Sequence, residues 1–227
     1  MKKKEPILLI LICLVLVWIL YLSGVYFFES NRYRKLSNSE IKKLQAPTSN
    51  DHYKWKSKSH YTVVVYFSID CPNCIKLFKA EDGHKNEYSR VFSLIYRNYP
   101  LLNSEPLAFQ KAIVAECVYN QGGDEKMFSF ISKMYNEYSK TESNMDLVEA
   151  LASEYVINPT LLKVCIDDKN TADKIISERD NASQQWVTGT PTIGVFKDNI
   201  LLGRFDAISG ETAINILNTL EEVIIKK

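Results

Sequence analysis

The sequence predicts an α/β domain with a helical insertion, preceded by one transmembrane helix. Three observations carry this. A β-branched apolar run, YTVVVYF at 61–67, leads through SID into CPNCIKLFKAE, where Cys74, Leu77 and Phe78 fall at helical spacing. Short apolar strands return after Gly189, separated from the first unit by a long stretch of helical periodicity. At the N-terminus, ILLILICLVLVWILYLSGVYFF (Ile7 to Phe28) holds no formal charge over 22 residues, meeting the roughly 20 that a helix needs to cross a bilayer.

That N-terminal run is longer than the apolar core of a cleavable signal, about 7–15 residues, and lacks a small-x-small site. Only Ser23 and Gly24 are small within their neighbourhood. Residues 1–28 are therefore expected to be an uncleaved signal anchor, lying in the bilayer through residues 7–28, with a cleaved signal as the alternative. Lys2, Lys3 and Lys4 favour an inside N-terminus, but Arg32, Arg34 and Lys35 follow the run, so charge alone gives a mild preference. Residues 29–59 read as a polar tether, with a short helix near Ser39–Gln45. The domain is expected over 60–227. Its near-neutral balance, with a net charge of +1 for the whole chain, excludes the concentrated basic patch of a nucleic-acid surface.

The elements follow in order. YTVVVYF reads as a strand buried on both faces. The helix after Pro72 and the strand RVFSLIYRNYP complete a parallel strand–helix–strand unit. An insertion over about 104–183 comes next. Pro106 opens a helix carrying Phe109, Ala112, Ile113, Glu116 and Cys117, which Gly122 and Gly123 end. Met127, Phe128, Ile131, Met134 and Tyr135 mark the next helix. Further helices start at Asn144 or Asp146, at Pro159 and near Thr171. PTIGVF, Asp198-Asn199 and ILLGRF then read as a hairpin. A helix with Ile214, Leu217, Leu220 and Ile224 inward closes the chain.

Cys13 lies in the membrane run; Cys71, Cys74, Cys117 and Cys165 lie beyond it. An even count in an exported segment fits two disulfides. Cys71 and Cys74 sit one helical turn apart on one face. A helix N-terminus favours thiolate at Cys71, making it the nucleophile, with Cys74 as the resolving thiol. A lone CxxC also suits zinc, but zinc wants four ligands, and His52, His60 and His84 have no ligand-like spacing. No metal is expected, and the histidines read as tether or surface residues. In TGTPT, Pro191 must begin a strand or form a turn. Its peptide bond can be cis, although spacing alone favours an ordinary trans loop.

The buried strand into C-P-x-C, the helical insertion, and G-T-P-T before a hairpin and last helix resemble the thioredoxin fold. Within it, the chain resembles the DsbA-like thiol:disulfide oxidoreductases. YRNYPLL, AIVAECVYNQGGDEKMFSFISKMY and LLKVCIDD each look like segments of that family, and the likeness covers roughly residues 60–225. It implies a cis-Pro191 with Thr190 presenting its backbone to substrate, and a non-catalytic disulfide between Cys117 and Cys165. It also implies no cofactor, cysteine-containing exported proteins as substrates, and a membrane redox partner that resets the pair. The expected setting is a monomer on the outer face of a bacterial inner membrane.

The chain departs from the family pattern in two places. Val65 and Ser68 stand where many members hold a buried acid, and Asn73 stands where strong oxidants carry His. Asp70, expected near the surface, would raise the Cys71 pKa slightly. Thiol pKa values for this motif run from roughly 3.5 to roughly 7, limits set by DsbA and thioredoxin themselves; Cys71 is expected in the middle or upper part, as in an oxidase of moderate potential. A reductase or isomerase of the same fold, or a non-catalytic assembly module, are the alternatives. Trp186 reads as packing residue or groove lining, Tyr135 and Tyr138 as core, and Asn181-Ala-Ser183 as a chance glycosylation pattern.

Overall fold

The structure, a computed structural model, describes residues 44–102 and 107–225. The expected membrane helix, Cys13, residues 29–43 of the tether and Pro106 lie outside the described residues. Among those described, no helix is long and apolar enough to cross a membrane.

Five strands form one sheet. They are β1 (His52–Trp55), β2 (Tyr61–Phe67), β3 (Ser93–Asn98), β4 (Thr192–Lys197) and β5 (Ile200–Phe205), in the order β1-β3-β2-β4-β5. β2 runs parallel to β3 and antiparallel to β4. Val63, Val64 and Val65 are each 0% exposed. Alternate residues of β2 enter separate cores: Val63, Val65 and Phe67 pack on one side, Val64 and Tyr66 on the other. Removing each valine from water is worth roughly 1.5–3 kcal/mol, which is why a continuous apolar run marks this central strand. Asp198 and Asn199 both adopt positive φ, 49° and 64°, the turn geometry that asparagine and aspartate tolerate and that matches hairpin twist.

Between β2 and β3 lie α1 (Pro72–Gly83) and α2 (Lys85–Val91). The second was not evident in the sequence, and it takes Arg90 and Val91 out of the expected strand. The insertion comprises α3 (Ala108–Asn136), α4 (Tyr138–Thr141), α5 (Met145–Ser153), α6 (Pro159–Ile166) and α7 (Lys169–Gln184), and α8 (Gly210–Ile225) closes the fold. α3 is two helical runs abutting at Gly123, where φ is 69° and ψ −170°. The break falls at the expected Gly-Gly pair, and a Cβ there would be strained.

Cys117 and Cys165 form the expected non-catalytic disulfide, which joins α3 to α6 with Cα atoms 5.7 Å apart and closes a 48-residue separation. Changing both to alanine is expected to lower unfolding stability by about 2–4 kcal/mol while leaving Cys71 and Cys74 in place. Urea denaturation would show this, and an unchanged midpoint would contradict it.

The tether expected over 29–59 is shorter than the sequence suggested. Leu44 is 5% exposed and packs with Val64, Tyr66 and Phe196. It approaches Gly194 so closely that a Cβ there would meet Leu44 at 3.0 Å. Arg97 on β3 donates to Asp51 at 2.6 and 2.8 Å and to the carbonyls of Gln45 and Ala46. β1 then adds an edge strand against β3. The segment looked polar because it meets the domain largely through backbone carbonyls and one carboxylate, and four strand residues are too few to show a period. His52 is therefore not a tether residue: it is buried. His60 and His84 are exposed, as expected.

Candidate active site

β2 ends at Phe67, and Cys71 is the N-cap of α1, with Pro72 in the first turn where a missing N–H costs nothing. Both cysteines are free thiols and both are buried, Cys71 at 5% and Cys74 at 1% exposure. The Thr190–Pro191 peptide is cis. The Cys71 thiol donates to the Thr190 carbonyl at 3.5 Å. The fold thus brings together the four residues singled out from two motifs 119 positions apart.

Their surroundings split the two thiols. Cys71 is lowered to about 6, chiefly by a hydrogen bond from the Cys74 thiol. Burial opposes this, and the Thr190 hydroxyl and the backbone N–H groups of Cys74 and Asn73 add to it. That hydroxyl is buried and has no partner in hydrogen-bonding geometry. Cys74 is pushed well above the usual thiol range by burial and by its bond to Cys71. Near neutral pH the reduced pair therefore holds one thiolate at Cys71 and one thiol at Cys74. Thiolate absorbance near 240 nm is expected to rise with a midpoint near pH 6 in the reduced protein and to be absent from the oxidised one. A midpoint above pH 8 would contradict the split.

Asp70 is not near the surface as expected. It is 8% exposed and paired with Lys111 on α3, whose ammonium lies 2.6 Å from it and donates to the Glu142 carbonyl at 2.8 Å. Lys111 is 0% exposed. The charge beside Cys71 is thus compensated, and Cys71 stays low. Asn73 is also engaged: its side-chain oxygen accepts the Gly210 N–H at 3.2 Å, tying the dipeptide to the start of α8.

Val65 and Ser68 are fully buried, and neither supplies the absent carboxylate. A buried acid stands elsewhere. Glu81, two turns beyond Cys74 on the buried face of α1, accepts from Tyr96 at 2.6 Å and from Lys54 at 3.1 Å. Tyr96 is the register partner of Val65. Lys111 and Glu81 were missed in the sequence, yet both sit on apolar helical stripes, Lys111 with Val114 and Val118, Glu81 with Cys74 and Phe78. A charged residue on such a stripe was the available signal. Trp186 is 65% exposed, so it is not core. Its φ is 62°, and Arg204 holds its carbonyl at 2.6 Å.

Comparison with known proteins agrees with this geometry. The fold matches alpha-DsbA1 of Wolbachia pipientis at a TM-score of 0.63 and 18% identity, covering 82% of this chain and 98% of that one. It matches oxidised BdbD of Bacillus subtilis at 0.62 and 19%, covering 80% and 96%. BcfH of Salmonella enterica Typhimurium matches at 0.65 and 16%, covering 97% and 95%. In sequence, the chain is 21% identical over 145 residues to the Na(+)/H(+) antiporter NhaA 1 of Mycolicibacterium gilvum, covering 64% of this chain. It spans only 23% of that relative's length. The family model described as Thioredoxin matches residues 48–203, well over half of the chain. With that match the chain belongs to the thioredoxin family, and its fold, inserted helices included, is that of the DsbA structures.

Proposed function

We propose that the protein is a membrane-anchored thiol:disulfide oxidoreductase that forms disulfides in exported proteins. The split between Cys71 and Cys74 beside Thr190 carries this reading. A substrate thiolate attacks Cys71 Sγ of the Cys71–Cys74 disulfide. The sulfur–sulfur bond breaks, and Cys74 leaves and takes up a proton because its thiol form is favoured. A second substrate thiolate then attacks the substrate sulfur of the mixed disulfide, and Cys71 leaves as a stable thiolate. Two electrons pass to the protein, and a membrane redox partner must remove them to restore the disulfide. The Thr190 carbonyl, 3.5 Å from Cys71 Sγ, is placed to pair with the substrate backbone.

The lowered Cys71 pKa favours this direction. A depressed thiol pKa stabilises the reduced form fully above the unperturbed value of 9.0, and the gain is lost as pH falls through about 6. At pH 7 the gain is about one pKa unit, ~1.4 kcal/mol, or ~30 mV toward oxidation. The absence of His at Asn73 favours the reductase reading, since it removes a cationic neighbour. The anchor rests on the uncharged run at 7–28, and the even set of cysteines beyond it supports a domain on the periplasmic side, where disulfides persist.

A reduction-potential titration paired with an assay of reduced ribonuclease refolding tests the proposal. A potential above about −250 mV with ribonuclease oxidation supports it. A lower value, nearer that of thioredoxin, favours a reductase. No exchange at all would leave only a binding module.

A further inference from the structure

A second cluster of buried polar groups joins the edge strand to the insertion. His52 on β1, Glu116 on α3 and Glu178 on α7 bring one ligand atom each within 4.8 Å of one another. His52 is 4% and Glu116 2% exposed, and His52 Nε2 lies 3.0 Å from Glu116 Oε2. We propose that these three residues form a divalent-cation site, with His52 Nε2 and the two carboxylates as ligands to a cation such as Zn²⁺ or Mn²⁺.

Outer contacts are arranged as such a site requires. His52 Nδ1 faces Asp124 Oδ1 at 3.4 Å, and neither buried atom has a partner in hydrogen-bonding geometry. A proton held on Nδ1 toward Asp124 leaves the Nε2 lone pair free for a cation, the carboxylate–histidine–metal arrangement. Asn98 Nδ2 donates to Glu178 Oε2 at 2.9 Å. The Tyr119 ring packs edge-on against the imidazole, with centroids 4.2 Å apart, and limits its rotation.

Charge points the same way. Three carboxylates, Glu116, Asp124 and Glu178, face His52 and Lys174. Even with the imidazole protonated, one negative charge is in surplus. Lys174 now bridges Glu116 and approaches Glu178, so an ammonium stands in a cation position. Its side chain is 40% exposed and can turn into solvent when a divalent ion enters. One imidazole nitrogen with two carboxylates suits borderline cations. The ligands come from three distant segments, which is why no ligand spacing is visible in the sequence. A cation here would tie β1 to α3 and α7, a structural role independent of thiol exchange.

The test uses the full chain in detergent, stripped with chelator and oxidised so that Cys71 and Cys74 cannot bind metal. Calorimetric titration with ZnCl₂ and MnCl₂ is expected to show one equivalent bound by at least one of the two, with a raised melting temperature. Glu178→Gln and His52→Asn should each weaken binding at least tenfold, and Lys174→Met should bind at least as tightly as the unaltered chain. Glu178→Gln lies at the rim of the cluster and keeps the amide hydrogen-bonding shape, so retained ribonuclease oxidation will verify its fold if His52→Asn does not fold. Absence of stoichiometric binding would overturn the proposal, as would binding that Glu178→Gln leaves unchanged.

Discussion

Replacing Cys74 with serine is expected to trap the protein on its substrates, while replacing Cys71 with serine abolishes exchange. The asymmetry follows from the split thiols. At pH 7 a thiol with a pKa of about 6 is roughly nine-tenths thiolate. Cys74, 1% exposed and shifted well upward from 9.0, holds at most about one part in a hundred as thiolate, and it lies on the buried face of α1. Loss of Cys71 should therefore reduce exchange at least about a hundredfold. In Cys74→Ser, Cys71 can still join a substrate sulfur, but no second thiol stands ready to release it. Serine is the informative choice because its hydroxyl still donates to the Cys71 thiolate, the largest lowering influence on that sulfur. Alanine would remove the donor and raise Cys71 as well. Non-reducing electrophoresis of a Cys74→Ser chain incubated with a disulfide-bonded substrate reads the result directly. Accumulation of reducible adducts in Cys71→Ser rather than in Cys74→Ser would reverse the assigned roles.

Elements with a strong local signature were legible in the sequence. β2 shows itself by three consecutive buried valines, α1 by its CPNC start, and the break in α3 by Gly122-Gly123. What was not legible depends on contacts between distant segments. The Leu44–Trp55 stretch belongs to the domain because Arg97, some fifty residues on, binds its backbone, and no local period reports such a partner. Asp70 seemed exposed because a carboxylate beside a loop ordinarily is, and Lys111 that buries it comes from the insertion. The cysteine site was clear because its two halves each carry a recognisable motif. The His52 cluster was not, since its members stand singly on three elements.

The Asp70–Lys111 pair gives the second large effect. Lys111→Met is expected to destabilise the protein by about 3–5 kcal/mol, because a buried carboxylate is left without its partner. Methionine retains much of the aliphatic volume, so the loss reports charge more than packing. Burial already raises Asp70, and Lys111 opposes that rise, so removing the ammonium drives Asp70 further toward its protonated form. While Asp70 remains ionised, its charge lies beside Cys71 with no counter-ion, and the Cys71 midpoint should move upward from about 6. The protein would then be a weaker oxidant as well as a less stable one. Asp70→Asn added to Lys111→Met removes the stranded charge, and replacing both members of a buried pair with neutral groups is often close to neutral in energy. The double variant should thus regain most of the stability and return the Cys71 midpoint toward its original value. Equal losses in the single and double variants would show that Lys111 acts through packing alone. A Cys71 midpoint that stays fixed in Lys111→Met would show that Asp70 takes up a proton instead, and the effect would then appear only in stability above the new Asp70 pKa.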